Sequence, residues 1–507
     1  MTNVAVATSS GLAAEAAREV AANGGNAVDC ALAAALLTMN TEPGVCALAG
    51  SAFITVWPAG GKPVTIDGNV AVPGTGVDDS KRAGGAVSVE MDYGGGIETL
   101  VGCGSVAVPG TLAAVEQAWK KFGTASWQSI FAPSVRATAD GFPLSSACHY
   151  YLGYSGTSIY GRSDDGYRAL HAGDTLRSTG DLIHVPHLSD TLDAIASEGA
   201  ELFYRGELAG KIADHCRAGG GLLTRDDLAN YRALERTPLT VDIGGWQLAT
   251  NPAPAVGGAV LAAMLIACSG LRDKTWNERN VRRLIQTQQA CLDFRENRLD
   301  LADNVDAEIA SLIESARSGQ LLNRWSSAST VHTSVVDSDG TACAITASSG
   351  YGSGEMPAGT GLWLNNCLGE IELNRRGLEA GPAGARLPSN MAPSVARRDG
   401  AVLAVGSPGA DRITTALQQF LINYLQFDMS LADAIAHPRV HVDTSGKQVR
   451  LMAEAGIALP DIGLPSKVFP QPVMYFGGVG AAVYKKDRGL QTAADPRREG
   501  GTCIYEH

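Results

Sequence analysis

Residues 330–346 constrain the fold more than any other stretch of the 507-residue chain. Thr330-Val331-His332-Thr333-Ser334-Val335-Val336 is rich in β-branched side chains. Asp337-Ser338-Asp339-Gly340 is a turn sequence, and Thr341-Ala342-Cys343-Ala344-Ile345-Thr346 resumes the strand pattern. Two such runs around a short turn predict a β-hairpin, so a chain that opens with Ala-rich helical sequence must also build a sheet. Polar Ser326-Ser327-Ala328-Ser329 reads as an exposed loop entering the first strand. A loop that feeds a threonine into a buried strand permits one special chemistry. If the peptide bond between Ser329 and Thr330 breaks, Thr330 gains a free α-amine beside its own hydroxyl, and base and nucleophile share one residue.

The composition suits a large mixed α/β core with many tight turns: 60 glycines, 45% hydrophobic and only 18% charged residues. A net charge of −12 argues against nucleic acid or an anionic membrane as partner. Met1-Thr2-Asn3-Val4 is not a basic region followed by an apolar core, and no run of about 18 apolar residues appears. Neither a secretory signal nor a membrane span is expected, which points to the cytoplasm. The ten cysteines include no Cys-x-x-Cys pair. Cys30, Cys268 and Cys343 sit in apolar runs and read as buried small hydrophobes, so neither a disulfide framework nor a metal site or other cofactor is expected.

Helices are predicted over Gly11 to Ala22, Cys30 to Met39, Thr111 to Lys121, Pro133 to Gly141 and Ala259 to Cys268, with more between Asn277 and Arg317. Thr224 is a candidate N-cap with Asp227 three residues on. Ile54 to Trp57 and Val64 to Ile66 read as a hairpin, and Val72 to Gly104 as a long surface loop. No repeat or linker separates independent domains.

Several of these segments, in order, resemble the γ-glutamyltranspeptidase family of N-terminal-nucleophile hydrolases. Thr330-Val331-His332-Thr333-Ser334-Val335-Val336-Asp337 is similar to the start of its small subunit, whose first threonine is the nucleophile. Gly24-Gly25-Asn26-Ala27-Val28-Asp29, Val108-Pro109-Gly110 and Gly361-Leu362-Trp363-Leu364-Asn365-Asn366 resemble its other signatures. So do Arg386-Leu387-Pro388-Ser389-Asn390-Met391-Ala392-Pro393 and Gly406-Ser407-Pro408-Gly409-Ala410-Asp411-Arg412-Ile413. Asp495-Pro496-Arg497-Arg498-Glu499-Gly500-Gly501 matches a closing segment that reads as structural.

The resemblance implies a four-layer αββα sandwich. It further implies self-processing between Ser329 and Thr330 into a large segment, 1–329, and a small one, 330–507, that stay associated; assembly into a homo-oligomer is left open. Thr330 is then the nucleophile and Ser348 the hydroxyl that holds it, although an exposed turn serine in Ser348-Ser349-Gly350 is an equally open reading. The amides of Gly409 and Ala410 form the oxyanion hole, with Ala410 serving provided its φ is negative. Asn69, His332, Asn366, Glu370, Ser389 and Asn390 are the candidate contacts to a small amide or acyl substrate. The family carries an arginine for the substrate's α-carboxylate where this chain has Asn69, with Arg386 and Arg412 as other sources of a cation. Cys367 and Gly369-Glu370 also depart from the acceptor segment, and Gly350 replaces an asparagine. The readings therefore span a γ-glutamyl enzyme, a non-glutamyl amidase of the cephalosporin-acylase or oxamate-hydrolase kind, a carbon–carbon bond hydrolase and a processed scaffold without catalysis.

Overall fold

A computed structural model describes residues 2–77, 84–92, 96–271, 273–318, 330–371, 373–444 and 448–507. The serine-rich loop ending at Ser329 lies outside the described residues.

The predicted hairpin is present as Val331–Asp337 paired antiparallel with Ala342–Ser348. It forms the middle of a seven-stranded sheet ordered Leu234–Arg236, Val64–Gly68, Ser51–Trp57, Ala342–Ser348, Val331–Asp337, Val4–Thr8 and Gly501–Tyr505. A second sheet runs Leu239–Ile243, Trp246–Thr250, Ser394–Arg398, Ala401–Gly406, Gly480–Lys485 and Gly489–Ala494. Strands from before and after Thr330 thus pair with each other within both sheets.

Side-chain alternation along the central hairpin explains the layers. Val331, Val335, Cys343, Ile345 and Ala347 face a core shared with helices Gly11–Ala22, Ala27–Thr41 and Thr111–Phe122. Val336, Ala342 and Ala344 point the other way and meet Val395, Val402, Ala404 and Ala482 of the second sheet. Small side chains on these facing surfaces let the two sheets stack closely. Helices Gly257–Ala267, Glu278–Phe294 and Arg412–Leu421 cover the far side of the second sheet. The result is the αββα sandwich.

Two expectations change. Val72 to Gly104 is not simply a surface loop: it contains the hairpin Val87–Met91 with Ile97–Val101, and Val72, Thr99, Val101 and Cys103 are buried. Its Gly/Asp-rich composition concealed a short alternating pattern. The helix expected from Pro133 spans Trp127–Asp140, because Ser126 caps it by accepting from the Ser129 N–H; Pro133 is tolerated inside.

Candidate active site

The site stands where the central hairpin meets loops of the second sheet. Val331 pairs with Ala347, so continuing the register by one residue sets Thr330 opposite Ser348. Ser348 in turn pairs with Ser51 at the start of the neighbouring strand, and the Ser51 hydroxyl donates to the Ser348 carbonyl (3.0 Å). Thr330, Ser348 and Ser51 line one cavity with Asn69, Glu370, Ser389, Asn390 and Ala410; its volume is about 30 Å³, room for roughly two waters. Ser348 is buried and its Oγ accepts the Gly350 N–H (3.2 Å), so the exposed-turn reading of this serine does not hold.

The loop after Ala401–Gly406 brings Ala410 to the same cavity. Gly409 has φ +119° and Ala410 has φ +62°, so the negative φ expected of the alanine is wrong: a left-handed turn is needed to enter the helix Arg412–Leu421. For a residue with a Cβ this conformation costs about 1–2 kcal/mol. The neighbours that hold it are specific. The Ala410 carbonyl accepts Asn390 Nδ2 (2.9 Å) and the Ile413 N–H (3.1 Å). Next to it, the buried Asp411 carboxylate accepts from Arg295 (2.6 Å), which also pairs with Asp300. Among the described residues the Gly409 and Ala410 N–H groups donate to no protein acceptor.

Asn390 has its orientation set by chemistry. Nδ2 donates to two acceptors, the Ala410 carbonyl and Asp411 Oδ1 (3.2 Å), so Oδ1 points elsewhere. That oxygen is buried and accepts no hydrogen bond among the described residues. Asn69 donates through Nδ2 to the Leu387 carbonyl (2.6 Å). Glu370, Ser389 and Asn374 add to the polar lining, while Val70, Leu373, Leu387 and Met391 supply apolar wall.

Two expected contacts stand back from the cavity. His332 is buried between the sheets with its ring nitrogens against Thr346 Oγ1 (2.8 Å) and Ser334 Oγ (2.7 Å), and burial pushes its pKa down to about 3. Asn366 is spent on structure: its Nδ2 donates to Thr99 and Leu100, and its Oδ1 accepts the Tyr351 N–H. A Cβ at Gly350 would lie 2.3 Å from that Oδ1, so an asparagine cannot replace Gly350 without movement of Asn366.

Neither candidate arginine supplies a cation to the cavity. Arg386 donates to the backbone carbonyls of Asn69 and Arg232 and stacks on Tyr231. Arg412 donates to the Tyr475 carbonyl and lies over that ring. Among the described residues lining the cavity there is no Lys, Arg or His. Sequence reasoning missed Ser51 and Asn374; each lies outside the matched motifs and reaches the cavity only through strand pairing or a loop turn.

The family model described as Gamma-glutamyltranspeptidase matches residues 13–505. The chain belongs to the γ-glutamyltranspeptidase family. It is 29% identical to the glutathione hydrolase proenzyme of Pseudomonas aeruginosa, over 98% of this chain and 93% of that protein. It is 27% identical to the acylase ACY 1 proenzyme of Pseudomonas sp. (strain V22), over 98% of this chain and 92% of that protein. Among solved structures, cephalosporin acylase from Bacillus halodurans shares the fold, with a TM-score of 0.80 at 23% identity, covering 100% of this chain and 96% of that one. The relatives that this chain resembles thus carry both glutathione hydrolase and acylase names. No helix among the described residues is long and apolar enough to cross a membrane.

Proposed function

We propose that the chain is a self-processing hydrolase or acyltransferase that cleaves an amide or related acyl bond through an acyl ester on Thr330. The observation that carries this reading is the convergence of Thr330, Ser348 and Ala410 on one cavity. In the first step the Thr330 Oγ attacks the Ser329 carbonyl, and the C–N bond breaks to leave an ester and the free Thr330 amine; water then hydrolyses the ester, releasing the Ser329 carboxylate and restoring the Thr330 hydroxyl. In turnover that amine accepts the proton of Oγ as Oγ attacks the substrate carbonyl. The Gly409 and Ala410 N–H groups receive the developing oxyanion; the positive φ of Ala410 changes the turn but keeps the N–H, so the negative φ set as a condition for this role is not needed. The proton passes to the leaving amine, and water or an acceptor amine releases the acyl group. Two buried amides with no protein acceptor among the described residues suit this task, because they need no reorganisation when charge develops. Thr330→Ala is expected to leave an uncut chain without turnover, and Thr330→Ser to retain part of both reactions. Uncut but active Thr330→Ala would exclude the mechanism, and a processed chain that no acyl substrate or electrophile modifies would favour a scaffold.

The acyl group that fits best is not γ-glutamyl. A glutamyl α-carboxylate calls for a bidentate cation, and neither Asn69 nor the other described lining residues offer one. Glu370 and Asn390 Oδ1 instead present acceptors, which suit an acyl group bearing an amine, hydroxyl or amide N–H. This supports the non-glutamyl amidase reading over glutathione hydrolysis. The test is kcat/KM for a γ-glutamyl anilide against uncharged acyl anilides. A γ-glutamyl value above about 10⁴ M⁻¹s⁻¹, in the range of ordinary enzymes, would overturn it.

A further inference from the structure

Away from the cavity, Cys103, His215 and Glu355 meet although 112 residues separate the first two and 140 the last two. One donor atom from each, a thiol sulfur, an imidazole nitrogen and a carboxylate oxygen, lies within 4.8 Å of the others. His215 Nε2 is 2.9 Å from Glu355 Oε2. Three unrelated elements deliver them. Cys103 opens the 3-10 turn Cys103–Ser105. His215 lies in the last turn of the helix Glu207–Ala218. Glu355 stands on the loop that leaves Ser348, its N–H bound by Ser353 Oγ (3.2 Å).

Room at the sulfur is secured by a glycine: a Cβ at Gly219 would lie 2.4 Å from Cys103 Sγ. Cys103 is buried, whereas the side chains of His215 and Glu355 are 30% and 16% exposed, leaving a route from solvent. Arg162 approaches the other carboxylate oxygen, Oε1 (3.4 Å), so Oε2 stays on the side of the thiol and imidazole. We propose that Cys103, His215 and Glu355 bind a single Zn²⁺ ion, with water as its fourth ligand. Sulfur, nitrogen and oxygen donors in this combination match zinc, whose bonds of about 2.0–2.3 Å need small movements from these separations, with the imidazole and carboxylate opening from their hydrogen-bonded contact to admit the ion. Binding takes thiolate and neutral imidazole and releases the proton that the pair otherwise holds.

The ion would join parts of the chain that lie on either side of Thr330. It would also brace the loop Gly350–Glu355, which begins next to Ser348. This role is independent of which acyl bond is cleaved. Spacing gave no sign of the site, because no two of the three ligands share a local motif.

The test uses the full chain, treated with chelator and titrated with Zn²⁺ alone, with Co²⁺ as a spectroscopic probe. One equivalent of zinc, a higher thermal midpoint and a thiolate-to-cobalt charge-transfer band are expected. Cys103→Ser, His215→Gln and Glu355→Gln should each weaken binding by more than about tenfold. In the unaltered chain, Zn²⁺ should protect Cys103 from iodoacetamide, which reads the same contact without any substitution. Failure to bind one equivalent, binding that survives Cys103→Ser, or alkylation of Cys103 undiminished by Zn²⁺ would overturn the site; the last would mark a reactive thiol in its place.

Discussion

Ala410 shows how a single residue can keep an amide in place at the expense of backbone strain. Its φ of +62° is ordinary for glycine and unfavourable for alanine, and Asn390, Asp411 and Arg295 form the chain of contacts that holds it. Ala410→Gly should therefore raise stability by about 1 kcal/mol, seen as a higher urea midpoint with an unchanged slope. An unchanged midpoint would mean that the neighbours, and not the turn, set this geometry. Asn69 tests the substrate side of the cavity. Its Nδ2 bond to Leu387 is lost in Asn69→Arg, but a guanidinium there supplies the missing carboxylate partner. Charge-assisted contacts of this kind contribute about 1.5–3 kcal/mol, so γ-glutamyl anilide turnover should rise roughly tenfold to a hundredfold in kcat/KM. No gain, in a variant that still folds and processes, would place the carboxylate elsewhere.

Among the elements, the helix Ala27–Thr41 explains why Gly24-Gly25-Asn26-Ala27-Val28-Asp29 belongs to the fold more than to the chemistry. Asn26 and Asp29 form a reciprocal capping box at its N-terminus. Asp29 Oδ2 also accepts the Thr124 N–H, the Thr124 hydroxyl and the Ala125 N–H, so one carboxylate joins this helix to the segment after Thr111–Phe122. Gly25 is required by contact: a Cβ there would lie 2.5 Å from Val20 Cγ1. Asp29→Ala leaves several donors without a partner at once and should cost about 2–3 kcal/mol, measured by chemical denaturation. Since Asp29 is remote from the proposed chemistry, folded Asp29→Ala should keep its kcat; a selective loss of kcat would give the motif a second role.

The whole molecule is a sandwich in which residues before and after Thr330 supply neighbouring strands to both sheets. If the bond before Thr330 is cut, the core still holds the pieces. Denaturing gels of active protein should show fragments 1–329 and 330–507, and native chromatography one particle containing both. Separation of the two in the absence of denaturant would contradict the shared core. Stability should also depend on pH through Glu42, at the C-terminal end of Ala27–Thr41, where burial raises its pKa from the ordinary 4.5 to about 7. The folded chain holds that proton more tightly than the unfolded one. Its contribution is therefore complete below the ordinary carboxyl range and is lost as pH rises through about 7. The shift corresponds to roughly 3 kcal/mol. Between roughly pH 5 and pH 8 the unaltered chain should lose more stability than Glu42→Gln, which cannot ionise; parallel profiles would show that Glu42 is solvated or paired.

What was legible in the sequence was local. β-Branched runs around Asp337-Ser338-Asp339-Gly340 specify the hairpin, and the cap Thr224 marks a helix start, because turns and orphan helix-end N–H groups are satisfied within a few residues. Family resemblance added Thr330, Ser348 and the Gly409-Ala410 loop as candidates. Tertiary structure decided which side chains share a cavity. His332 and Asn366 lie in matched segments, yet the bonds to Thr346, Ser334, Thr99 and Leu100 turn them into supports. Ser51 and Asn374 carry no motif and still reach the cavity. The sign of φ at Ala410, the inward amide of Asn390 and the meeting of Cys103, His215 and Glu355 depend on contacts between residues far apart in the chain. Such contacts are set by how the two sheets and their loops close on each other, and no local pattern encodes them.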